Sequence, residues 1–124
     1  MAVLAGLVAL SCSRSITSSM SLLDPEWPRT ASPTMRLSTA GINPDLLHLN
    51  APVTVTITND DGAAHRLEPA PELGYGRCSE MEQLGTLLPG QSGTVTIERR
   101  EVICTFHDSA APANQSFQGF IVVH

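Results

Sequence analysis

"APVTVTITNDDG", residues 51–62, is the stretch on which the fold turns. Val53, Val55 and Ile57 alternate with Thr54, Thr56 and Thr58, and side chains two apart in a strand share a face. The segment is expected to be a half-buried strand, with its aliphatic side chains turned to a core and its threonines to solvent. Asn59, Asp60, Asp61 and Gly62 follow as a turn, because Asn and Asp satisfy local backbone donors and tolerate left-handed geometry. His65 comes directly after that turn.

The same period recurs on either side. "TMRLS" (34–38) alternates weakly, and "LLHLN" (46–50) leads into the central strand. Downstream, "LPGQSGTVTIERR" (88–100) supplies a Pro-Gly turn and a second alternating strand with Val95 and Ile97 inward. "EVICTF" (101–106) places Val102, Cys104 and Phe106 on one face and Ile103 and Thr105 on the other; His107 is expected in the loop that follows. "GFIVVH" (119–124) closes the chain as a last strand after a loop over 108–118. Residues 67–88 are irregular, with room for a short helix near 79–84 between glycines and prolines. At least six strands and no long helix predict an all-β domain, an antiparallel Greek-key sandwich or flattened barrel.

Composition agrees with this. The 124 residues allow one modest core, and nine glycines and nine prolines fit many turns better than a bundle. A formal charge of −5 without a Lys/Arg cluster argues against a nucleic-acid partner.

The chain begins "MAVLAGLVALSC" (1–12), an uncharged apolar run. It is shorter than the about 20 residues a membrane-spanning helix needs, and it reads as an export signal whose basic start lies upstream. Its "ALSC" ending resembles a bacterial lipobox, which implies lipidation at Cys12 and a lipid-anchored, extracytoplasmic protein; ordinary secretion and a plain buried start are the alternatives. Residues 13–33, rich in Ser, Thr and Pro, read as a tether, leaving 34–124 as the domain. Trp27, in the tether, is expected to be partly buried.

Three residues carry the chemistry. His65 follows the central strand's turn, Cys104 stands near the end of a later strand, and His107 comes three residues on. Two imidazoles and a thiolate make a near-trigonal set suited to copper in both oxidation states. His48 and His124 are expected at surface or strand-edge positions without partners, and Met81 in packing. Three roles are open to Cys78: a disulfide with Cys104, which an oxidising compartment favours, a free thiol, or a further soft ligand. No serine elbow, phosphate loop or zinc-hydrolase motif is present, so no enzymatic activity is expected.

"VTVTITNDDGAAH" (53–65), "LPGQSGTVTI" (88–97), "VICTFH" (102–107) and "QGFIVV" (118–123) together resemble the cupredoxins, the blue-copper proteins, over about residues 46–124. The resemblance implies one copper ion held by His65, Cys104 and His107, outer-sphere electron transfer between larger redox proteins, His107 as the electron port, and a monomer. It places Phe117, which has no donor atom, where the family carries a weak axial methionine. Gln115, Gln118, Asn114 or a backbone carbonyl could supply an axial oxygen instead, and a site capped by Phe117 is expected to have a high potential. Two alternatives accompany this reading: a copper storage or delivery module, and a metal-free sandwich bridged by Cys78 and Cys104.

Overall fold

A computed structural model describes Arg29 and residues 33–124. The export segment 1–12 with Cys12, and all of the tether 13–33 but Arg29 and Pro33, lie outside the described residues.

Nine strands follow one another in the order β1 (Thr34–Ser38), β2 (Gly41–Asn43), β3 (Leu46–Leu49), β4 (Val53–Asn59), β5 (His65–Pro69), β6 (Thr86–Leu87), β7 (Ser92–Ile97), β8 (Val102–Asp108) and β9 (Gln118–Val123). They form a four-stranded sheet, β2-β1-β4-β7, and a five-stranded sheet, β3-β9-β8-β5-β6. The helical turns among the described residues are short 3-10 turns at Pro71–Leu73, Ser79–Gln83 and Gln115–Phe117.

The central strand behaves as its alternation dictates. Val55 and Ile57 are fully buried, and the threonines face outward, where Thr54 and Thr96 hydroxyls pair at 3.0 Å across β4 and β7. Met35 and Leu37 from β1, Val95 and Ile97 from β7, and Leu47, Leu49, Leu67, Cys104, Phe106, Ile121 and Val123 from the second sheet complete the core. Met81 packs there too.

The sandwich is not wholly antiparallel as expected. β1 pairs with β4 in parallel, Met35 opposite Ile57, and β3 pairs with β9 in parallel, Leu47 opposite Ile121. Parallel neighbours need a crossover rather than a hairpin, and alternation within one strand carries no mark of its partner's direction.

β8 also runs further than expected. His107 and Asp108 are strand residues, paired with Glu68 and Leu67 of β5, so His107 is not in a loop. The loop after β8 is then turned back by the Gln115–Phe117 turn, against which Gly41 is packed: a Cβ on Gly41 would stand 2.3 Å from the Ser116 carbonyl oxygen. That close approach requires a glycine and seats Phe117 beside the end of β5.

Candidate functional site

Cys104 projects inward from β8, and its sulfur is bonded to that of Cys78, with 5.0 Å between their Cα atoms. Both cysteines are buried. Cys78 precedes the Ser79–Gln83 turn, so the bridge fastens the irregular stretch 67–88 to the middle of the five-stranded sheet. Of the roles open to Cys78, the disulfide is the one observed.

The three expected copper ligands do not converge. A spacing of three along a strand puts side chains on opposite faces: Cys104 lies on the inner face with Phe106, and His107 on the outer face beside Glu68. His65 is on the inner face at the end of β5, but Cys104 is four residues, about 13 Å, further down β8 than the residue His65 meets. That residue is Asp108.

His65 is buried between two carboxylates. Its Nδ1 lies 2.5 Å from Asp108 Oδ2 and its Nε2 2.7 Å from Asp61 Oδ2. Burial by itself would lower the His65 pKa, but the hydrogen bonds to Asp108 and Asp61, helped by their charges, outweigh it and raise the pKa above its ordinary value. The same contact with His65, with the Gly62 backbone N–H, lowers the Asp61 pKa. Asn59 fixes the turn that carries Asp61, its Oδ1 accepting from the Asp61 N–H at 2.9 Å.

Phe117 stacks on the His65 ring, centroids 4.8 Å apart and planes 20° from parallel. Two positions that the family resemblance brings to one site, His65 and Phe117, therefore do meet, and the third member is a carboxylate rather than a thiolate. Of the proposed axial donors, Asn114 has its Oδ1 engaged by the Ser116 N–H, Gln118 is tied through its Nε2, which donates to the Pro112 carbonyl at 2.8 Å, and Gln115 is exposed.

His107 is buried rather than solvent-facing. Its Nδ1 pairs with Glu72 and its Nε2 lies 3.1 Å from Glu68. His107 and Glu68 help line a polar groove with Arg66, Arg77 and Glu82.

The donor set does not fit a blue-copper ion. Both nitrogens of His65 and of His107 are hydrogen-bonded, the Cys104 sulfur is oxidised, and Phe117 offers no lone pair. Cys78, Cys104 and Glu80 lie within 4.8 Å of one another, but the sulfurs are joined and Glu80 accepts two 2.7 Å hydrogen bonds from the Arg99 guanidinium.

The sequence shows only that Asp108 shares a face with Cys104 if the strand runs on through "VICTFHD"; which of the two meets His65 is set by the register of β8 against β5. Glu72 could not be read from the sequence, because it sits in a 3-10 turn within the irregular stretch. His48 and His124, read as partnerless, face each other across β3 and the end of β9.

No family model matches the sequence, and no curated protein is similar to it at a significant level. The structure is similar to a purple cupredoxin from Nitrosopumilus maritimus, with a TM-score of 0.60 and 19% identity over 75% of this chain and 100% of that one. It is also similar to an oxidised amicyanin variant (TM-score 0.59, 18% identity, 78% of this chain and 86% of that one). A Cu(I) form of another amicyanin variant gives a TM-score of 0.58 at 19% identity, with the same coverage of 78% and 86%. These likenesses, with the two-sheet strand order, show that the described strands form a cupredoxin-like fold.

Proposed function

We propose that the chain is an extracytoplasmic, non-catalytic cupredoxin-like module in which the blue-copper centre is replaced by a structural core, so that it serves as a structural or adhesion domain. The observation that carries this reading is the Cys78–Cys104 bond, which removes the thiolate that copper would need. A disulfide also accords with an exported protein, and the leader ending at Cys12 with attachment to a membrane by lipid.

A copper electron carrier working between redox proteins at the cell envelope is the second reading, favoured by the likeness to a purple cupredoxin and to amicyanin. It requires the bridge to be reduced and the regular pleat of β8 to break between Cys104 and His107, because a one-residue slip would turn Cys104 out of the core as it turned His107 in. A copper delivery module would need the same free thiolate.

The readings separate on colour and on sulfur. Peptide mapping of the unreduced protein is expected to recover Cys78 and Cys104 as one linked pair, and Cu(II) is expected to give no intense thiolate-to-copper band. A strong visible band that disappears in Cys104→Ala overturns the proposal in favour of the electron carrier.

A further inference from the structure

The outer face of the five-stranded sheet carries a second arrangement of ligand-type side chains. Leu47 and Leu49 of β3 point into the core, so His48 between them points out; Ile121 and Val123 of β9 do the same, so Val122 and His124 point out. β3 and β9 are parallel neighbours with His48 opposite Val122, which makes His48 and His124 diagonal neighbours on one face. The His124 backbone is held on both sides, its N–H donating to Leu49 at 2.8 Å and its carbonyl accepting from Ala51 at 3.1 Å. His48 is buried and His124 partly exposed.

The rings lie with centroids 5.6 Å apart and planes 28° from parallel. Nδ1 of His48 and Nε2 of His124 are 3.4 Å apart. A tetrahedral ion with metal-nitrogen bonds of about 2.0–2.1 Å holds two imidazole nitrogens roughly 3.3–3.4 Å from each other. The pair thus has the separation of two ligands on one ion before any ion arrives.

We propose that His48 and His124 form a two-imidazole site for a divalent ion of the zinc and copper(II) class, its remaining positions open to water on the His124 side. Imidazole is the donor these ions share, and the site differs in place and chemistry from the His65 cluster. Of the four histidines, His48 and His124 are the two whose ring nitrogens approach each other. Neutral imidazole is the form that binds such ions. Arg29, whose Nε donates to Asn50 Oδ1 at 3.1 Å, repels an incoming cation, and Glu101, which acts on His124 in the opposite sense, attracts it.

The test is a calorimetric titration of Zn2+ into the full chain, repeated with Cu2+ under electron paramagnetic resonance. One ion per chain is expected, with a Cu2+ spectrum split by two nitrogens and no intense thiolate band. His124→Ala, at the exposed ring, is expected to weaken binding by more than the roughly 10–100-fold that loss of an outer-shell partner costs; His48→Asn is expected to do the same if its melting shows it folded. His107→Ala is expected to bind as the parent does. No binding at millimolar Zn2+, or binding that survives His124→Ala, overturns the site, and His124→Ala decides the matter even if His48→Asn fails to fold.

Discussion

Asn59 is fully buried at the end of β4, and its side chain makes three hydrogen bonds. Its Nδ2 donates to the Ala63 and Leu87 carbonyls at 2.8 and 2.9 Å, and its Oδ1 accepts from Asp61. Asn59→Ala leaves those backbone groups without the side chain, and an unsatisfied buried group costs about 1–3 kcal/mol. A urea melt is expected to show about 2 kcal/mol of lost stability with an unchanged slope; a loss below measurement would show that water replaces the amide. The turn of Asn59 to Gly62 and the histidine after it were legible in the sequence, because local side-chain-to-backbone bonding is written in a few consecutive residues. The identity of the residue that meets His65 was not: Cys104 and Asp108 share a face of β8, and only the register against β5 says which one reaches the sheet's end.

At the scale of elements, the stretch between β5 and β7 has little regular structure of its own. It holds two 3-10 turns and the two-residue β6, and it is anchored in the core by Met81, Leu84, Leu87 and the Cys78–Cys104 bridge. The bridge closes a sequence separation of 26 residues, which in the chain-entropy account corresponds to about 3.5 kcal/mol. Reduction, or Cys78→Ser with Cys104→Ser, is expected to lower stability by about 3 kcal/mol and to speed hydrogen exchange chiefly over residues 70–88. Equal acceleration throughout the sandwich would show that this segment does not open separately. Strands β4 and β7 were legible because one face is buried and one is wet. The irregular segment gave no period to read, and the end of β8 was masked by a family pattern that puts its histidine in a loop.

For the whole molecule, ionisable groups of opposite behaviour set a stability curve against pH. His65 has a pKa raised above 6.5 in the folded chain. Below 6.5 it is protonated whether folded or not, and its interactions with Asp108 and Asp61 count in full. As pH rises through the folded value the folded state must give up a proton it holds more tightly than the unfolded chain does, so stability falls. His48 and His124 are held below 6.5, burial being the larger cause; their contribution is complete above 6.5 and is lost as pH falls. Asp61, lowered first by its hydrogen bond with His65, adds a further loss as pH falls below the ordinary Asp value of 3.8. Melting temperatures taken with a chelator present, to keep the outer imidazole pair free of metal, are therefore expected to peak near pH 6.5. His65→Gln is expected to be less stable than the parent at pH 6 and to lose the decline on the alkaline side, because the two carboxylates then have no proton to share that depends on pH in this range. An alkaline limb unchanged in His65→Gln would mean that the charge on this ring does not stabilise the fold, and that the buried cluster at the end of β5 and β8 is held by packing against Phe117 instead.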